Sequence, residues 1–325
     1  MLENKRIAVV IPAYNEANLV SKVIETMPNF VDKIIVVDDR STDNTVEVIK
    51  KYQPKLKDKL VLVEHGKNQG VGAAIISGYK RGLELGVDVC AVMAGDGQMD
   101  PADLEKILTP VVKERCDYAK GNRLFTGQAW KIIPKHRYLG NAFLSLLTKI
   151  ASGYWHVADS QSGYTAISTE ALKKLDLDNI YKKYGFPNDI LVKLNVCNCR
   201  VVDIPARPVY NVGERSKIRL WKVVPTLSLM LLKDFFWRLC QKYIIRDFHP
   251  LIFFYLLGIL LLPLGLGLGL VILYTNTPLN SGVSLPVGWI VLCALLLISG
   301  MQSLFFGMWF DMDYNRNLFK ANEKN

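Results

Sequence analysis

From Pro250 to Phe310 the chain runs 61 residues without one Asp, Glu, Lys or Arg. Few features narrow the folding options more, because charged side chains are almost never fully buried and a soluble surface needs them throughout. All 40 Lys and Arg and all 30 Asp and Glu lie in the remaining 264 of the 325 residues. The mean hydropathy of +0.16 is therefore an average over two unlike parts. This segregation excludes a purely soluble domain, a disordered chain and a multi-span transporter. It leaves a sizeable soluble domain tethered to a bilayer by a short C-terminal anchor.

Two apolar runs fill the uncharged stretch, Leu251–Tyr274 and Val287–Phe310. Each has 24 residues, and a bilayer core needs about 20. The connection Thr275–Pro286 carries no Lys or Arg, whereas Gly213–His249 holds eight basic residues against three acidic ones, and Arg316, Lys320 and Lys324 follow the second run. The positive-inside rule predicts both flanks, and so both termini and the soluble domain, in the cytoplasm. Trp221–Ile245 mixes Leu229, Leu232, Phe236 and Trp237 with spaced cations and predicts helices lying in the interface plane. No signal peptide is expected at the start, since Ile7–Ile11 is too short for one. The six cysteines show no CxxC spacing and are expected to be reduced.

Within the soluble part, apolar β-type runs begin near Arg6, Lys33, Leu60 and Val87, one every 27 residues. Helical patterns follow at Ala17–Met27, Thr42–Tyr52, Val71–Leu85 and Pro101–Lys113. This alternation predicts an α/β fold with a mainly parallel sheet flanked by helices, whose ligands bind at the carboxyl ends of the strands. No GxGxxG follows the first strand, which argues against a dinucleotide fold of the common kind. The strand ends carry polar motifs instead: Pro12-Ala13-Tyr14-Asn15-Glu16, then Asp38-Asp39-Arg40-Ser41-Thr42, then Ala94-Gly95-Asp96-Gly97-Gln98. An aromatic ring and carboxylates suit a nucleoside, and Asp96 with Gln98 offers hard oxygens suited to Mg²⁺ or Mn²⁺ on a diphosphate. Ser41 or Thr42 could equally cap a helix, and Asp100-Pro101 reads as a helix start.

Taken together with Asn68-Gln69-Gly70-Val71-Gly72-Ala73 and the two spans, these motifs resemble inverting family 2 glycosyltransferases with the GT-A fold, and more closely the membrane-anchored dolichyl-phosphate mannose synthase-like enzymes. The resemblance covers nearly the whole chain. It implies a nucleotide-sugar donor held by Pro12, Tyr14, Glu16, Asp38 and Asp39, and a metal held by Asp96 and Gln98. It implies a polyisoprenyl phosphate acceptor near Arg123, Arg137 and Asn141. Arg suits that task because its planar fork binds phosphate bidentately. Asp159, in Asp159-Ser160-Gln161-Ser162-Gly163-Tyr164, is the implied catalytic or acceptor-positioning carboxylate, with Asp96 beside the diphosphate. At Phe186-Pro187-Asn188-Asp189 either Asn188 caps a helix or Asp189 faces the sugar. Arg207, Arg215, Ser216 and Lys217 resemble a loop that closes over the diphosphate.

The sequence departs from the family's Asp-x-Asp at Ala94, which removes one carboxylate and predicts weak metal affinity without nucleotide. The expected organisation is a cytoplasmic catalytic domain over 1–212, a basic and interfacial segment over 213–249, a transmembrane hairpin over 250–311 and a cytoplasmic tail over 312–325. Membrane lipids are expected partners, nucleic acid is not, and a homo-oligomer through the membrane region stays open. Competing readings are transfer to another membrane lipid and a nucleotide-sugar-binding scaffold without catalysis. A processive polysaccharide synthase is disfavoured, because no Gln-x-x-Arg-Trp motif is present.

Overall fold

The structure is a computed structural model, and it describes residues 1–124, 135–207, 209, 220–275 and 286–319. The chain divides into two compact units, Met1–Phe236 with Asn317–Asn325, and Trp237–Arg316.

The first unit is built on a seven-stranded sheet in the order β3-β2-β1-β4-β6-β5-β7. The strands are β1 Ile7–Ala13, β2 Lys33–Asp38, β3 Leu60–Glu64, β4 Val89–Val92, β5 Tyr118–Asn122, β6 Thr165–Ser168 and β7 Val201–Pro205. The first four start close to the 27-residue beat of the sequence. β1 pairs in parallel with both β2 and β4, so the chain reverses its direction of travel across the sheet at β1. That reversal opens a crevice at the carboxyl ends of β1 and β4. β6 runs antiparallel between β4 and β5. It is four residues long and carries no motif, so the sequence offered no sign of it.

Strand residues are apolar on both faces, as a sheet covered on both sides requires. Ile7, Val9 and Ile11 of β1 join one core with helices α1 (Val20–Glu25), α2 (Thr45–Leu56) and α4 (Leu104–Val112). Ala8 and Val10 join the other with α3 (Val71–Glu84), α6 (Thr169–Lys174) and α7 (Phe186–Val196). Helix α5 (Lys135–Ser152) lies between β5 and β6 in the chain, and α8 (Leu220–Cys240) follows β7. Close packing of α3 on β1 depends on Gly78, where a Cβ would lie 2.2 Å from Val10 Cγ1.

Helix starts depart from the expectation where loop contacts intervene. α1 begins at Val20 and α2 at Thr45. Residues Asn15–Ala17 are held by the β2 loop: Asn15 N–H donates to Ser41 Oγ (2.9 Å), Glu16 N–H to Thr45 Oγ1 (2.9 Å) and Ala17 N–H to Asp43 Oδ2 (3.3 Å). Ser41 is thus a loop fastener and not a cap. All six cysteines are free thiols. Cys197 and Cys199 sit in the turn after α7 and not on a strand.

The second unit contains α9 (Leu251–Thr275) and α10 (Val287–Tyr314), both long and apolar enough to cross a membrane. They pack through small residues. A Cβ on Gly258 would meet Leu304 at 2.5 Å, and one on Gly300 would meet Leu262 N at 2.9 Å. At one end of α10, Arg238 forms a doubly hydrogen-bonded pair with Asp311 at 2.8 and 2.9 Å, both fully buried. Tyr243 also donates to Asp311, and Lys242 donates to Asn315 at 2.7 Å.

Candidate active site

Three loops meet at the carboxyl ends of β1, β2 and β4. Asn15 takes a left-handed φ of 57° and accepts from Thr42 N–H at 2.7 Å, which laces the β1 and β2 loops together. Gly95 N–H donates to Pro12 O at 3.4 Å and ties in the β4 loop. Pro12, Tyr14 and Glu16 thus lie at the end of β1 and in the loop after it, and Asp96 and Gln98 on the β4 loop tied to them. Tyr14 is exposed.

The acidic pair after β2 splits into two roles. Asp39 is buried and its carboxylate is fully occupied. It accepts from Gln69 N–H (2.8 Å) and Gly70 N–H (2.7 Å), and pairs with His65 Nδ1 (2.8 Å). The other His65 nitrogen meets Ser77 Oγ at 2.8 Å. Asp39 thus fastens the start of α3 to the loop after β2. Gly70 takes φ 100° there, which a side chain would strain. Asp38 is equally buried, yet only its Oδ2 is engaged, by Ser41 N–H at 3.1 Å. Its Oδ1 has no hydrogen-bond partner among the described residues. An orphaned buried carboxylate oxygen is costly unless a ligand donor meets it.

Asp96 and Gln98 are half-buried, and Gln98 N–H donates to Asp96 Oδ1 at 3.0 Å. Among the described residues no group of three or more His, Cys, Asp or Glu is placed to hold a metal. One carboxylate and one amide fit a hard cation that arrives with a diphosphate and keeps its waters, and do not fit a freestanding metal site.

Across the sheet, Asp159 and Arg123 are partners rather than separate groups. Arg123 donates from Nε to Oδ2 at 2.7 Å, from Nη2 to Oδ1 at 3.1 Å, and from its backbone N–H to Oδ2 at 3.2 Å. Burial raises the Asp159 carboxyl, but the Arg123 charge and bonds, with Lys120 behind, outweigh it and hold the group below its ordinary value. Asp159 is an anion that orients Arg123, whose side chain is partly exposed.

Beneath them lies a buried framework without any local sequence signal. Lys120 is fully buried, donates to Ser162 O, and is pushed down to about 8 by burial. Asp203 accepts from Ala158 N–H (2.7 Å) and Asn122 Nδ2 (3.0 Å), and burial pushes its carboxyl up to about 6. These contacts fix the 158–162 loop against the end of β5.

Asn141 is half-buried on α5. The side chain of Arg137 and all of Arg215, Ser216 and Lys217 lie outside the described residues. Arg207 is exposed after β7, with its N–H bonded to Asp103 Oδ2 at 2.8 Å. Asn188 does not cap α7, whose N-cap is Gly185. It is buried and donates to Thr148 Oγ1 at 2.6 Å, being the third residue of the helix. Asp189 is also buried. Its Oδ2 accepts from Tyr181 N–H at 2.6 Å, and it lines a cavity of about 520 Å³ with Lys193, Met230 and Asp234. A helix turn carries neighbouring side chains to different faces, so Asn188 and Asp189 point apart.

A mainly parallel sheet with an antiparallel β6, acidic loops at the β1–β4 switch point and a carboxylate-held arginine beyond β5 define a GT-A glycosyltransferase. Glucosyl-3-phosphoglycerate synthase from Mycobacterium tuberculosis, solved with UDP, shares this fold at a TM-score of 0.51 and 19% identity, over 72% of this chain and 80% of that one. The same enzyme has been solved with Mn²⁺ and UDP-glucose. The chain belongs to glycosyl transferase family 2, whose model matches residues 8–176. Among its relatives is the UDP-N-acetylglucosamine–dolichyl-phosphate N-acetylglucosaminyltransferase of Methanococcus voltae, 33% identical over 64% of this chain and 88% of that protein. Another is the undecaprenyl-phosphate mannosyltransferase of Micrococcus luteus, 31% identical over 62% of this chain and 82% of that protein.

Proposed function

We propose that this enzyme transfers a sugar from a UDP- or GDP-linked donor to a polyisoprenyl phosphate at the cytoplasmic face of a membrane, with inversion. The observation that carries the reading is the pairing of Arg123 with the buried anion Asp159 in a chain with two membrane-length helices. The two relatives named above act on polyprenyl-type phosphates, which supports the same acceptor class here.

The donor's base and ribose occupy the wall of Pro12, Tyr14, Glu16 and Asp38, with Asp38 Oδ1 accepting from the nucleoside. Asp39 keeps that wall in place through Gln69 and Gly70. Asp96 and Gln98 would hold a Mg²⁺ or Mn²⁺ ion arriving with the donor, which would supply positive charge beside the diphosphate. Arg207, Arg215, Ser216 and Lys217 close on the same diphosphate. The acceptor phosphate is bound by Arg123 together with Arg137 and Asn141. It is already anionic at neutral pH, so no strong base is needed and the catalytic work is positioning and electrostatics. Asp159 contributes by fixing the Arg123 fork. Asp189 acts at one remove, by holding the Tyr181 segment. Residues 1–212 form the catalytic domain, 213–249 a basic and interfacial segment, 250–311 the hairpin and 312–325 a cytoplasmic tail.

Membranes containing the full chain, given radiolabelled nucleotide-sugars, are expected to yield an organic-extractable, mild-acid-labile labelled lipid with one donor. Absence of that product with every UDP- and GDP-sugar would contradict the proposal.

A further inference from the structure

Helix α5 is two-faced in an unusual sense. Its inner face is bound to the site: Ser145 Oγ meets Ser160 Oγ at 3.1 Å, and Thr148 Oγ1 accepts from Asn188 at 2.6 Å. Leu144, Ser145, Thr148, Ala151 and Ser152 are all buried there. Its outer face carries Leu139, Phe143 and Leu146, exposed by 62%, 50% and 52%. At about 100° per residue these three fall within an arc of about 60°, directly opposite the buried set. Helices on a watery surface present charge on that side. α5 presents large hydrocarbon.

Charge supplies the second observation. From Tyr118 to Ala158 the chain has no Asp or Glu, and beyond the buried Lys120 and the Asp159-paired Arg123 it holds four cations, Lys131 and, on α5 itself, Lys135, Arg137 and Lys149. A cationic, acid-free segment with an exposed apolar stripe is the composition of a helix that lies in the boundary between headgroups and acyl chains. A protein partner of ordinary composition would not require the absence of acids. The same chain carries two membrane-length helices, which bring a bilayer within reach.

We infer that α5 is itself a membrane-contacting helix, inserting Leu139, Phe143 and Leu146 into an anionic bilayer surface. This rests on the membrane reading of α9 and α10 and not on the identity of the donor or acceptor. Because the opposite face of α5 is hydrogen-bonded to Ser160, next to Asp159, the bilayer surface sets the height of the Asp159–Arg123 pair. The helix is a plate between membrane and site.

The test is site-specific photocrosslinking of the full chain in phosphatidylglycerol-containing vesicles. p-Benzoylphenylalanine replaces Leu139, Phe143 or Leu146 one at a time, with Lys173 as an exposed reference on α6 and Leu264 as a reference within α9. Lipid adducts are expected at the three α5 positions and at Leu264, and not at Lys173. The α5 adducts are expected to fall by about twofold or more in phosphatidylcholine vesicles, while that at Leu264 holds. Adducts at Leu264 with none on α5, crosslinks from α5 to protein, or equal α5 yields in neutral vesicles would each overturn the inference. Absence of a Leu264 adduct would overturn the membrane reading beneath it.

Discussion

Asp38 and Asp39 are neighbours of the same type with opposite fates, and the difference is a matter of which oxygens already have partners. Asp39 is consumed by Gln69, Gly70 and His65, so Asp39→Asn is expected to cost mainly stability, through mispaired N–H groups, and to lower thermal stability as well as activity. Asp38→Asn is expected to spare stability and to weaken donor binding, seen as a raised KM for nucleotide-sugar. Arg123 makes a sharper case. Removing it leaves Asp159 buried and unpaired, so Arg123→Ala should cost about 3 kcal/mol in thermal or denaturant unfolding and lower transfer at least about 100-fold. Arg123→Lys should not restore activity, because an ammonium cannot reproduce the two-pronged bond. At Ala94, restoring the missing carboxylate with Ala94→Asp is expected to tighten Mn²⁺ binding in the absence of nucleotide, measured by titration calorimetry. Unchanged affinity would mean that Asp96 does not hold the ion.

At the scale of elements, the β/α beat was legible because fully covered strands must be apolar throughout and their spacing repeats. The motif loops were legible because strand ends at a switch point gather polar residues. β6 was not legible, being short and recognisable only by its antiparallel pairing. Nor were the Asp39–His65 and Lys120–Asp203 frameworks, whose members lie far apart in sequence and carry no motif. Asp189 was readable as a helix-start acid, but the direction of its side chain depends on Tyr181 and on α8. There, burial and then the charge of Asp189 push the Asp234 carboxyl up to about 7. A raised carboxyl stabilises the fold fully below its unfolded value of about 4, and that contribution is lost as pH rises through about 7. Asp234→Asn keeps a hydrogen-bond donor without the charge. Its thermal stability should therefore match wild type near pH 4 and exceed it increasingly towards pH 8. Gly78→Ala tests the α3–β1 contact, with an expected loss of about 2 kcal/mol from a Cβ forced against Val10.

At the scale of the whole molecule, the uncharged stretch and the cationic segments serve one arrangement. In the proposed reaction the sugar donor is water-soluble and enters from the carboxyl ends of the strands, at the β1–β4 switch point. The acceptor proposed here cannot leave the bilayer, and the proposal has α9 and α10 as the tether that keeps the enzyme beside it. Neither helix α9 nor α10 contains an Asp, Glu, Lys, Arg or His between Leu251 and Phe310, which fits a tether. The central claim is that a lipid-borne phosphate is the nucleophile. Purified full-length protein in vesicles, supplied with its labelled donor and with either polyprenyl phosphate or the matching polyprenol, tests this most directly. Labelled lipid is predicted with the phosphate alone, its sugar in the anomeric configuration opposite to the donor's. Equal transfer to the free alcohol, or retention of configuration, would contradict the account.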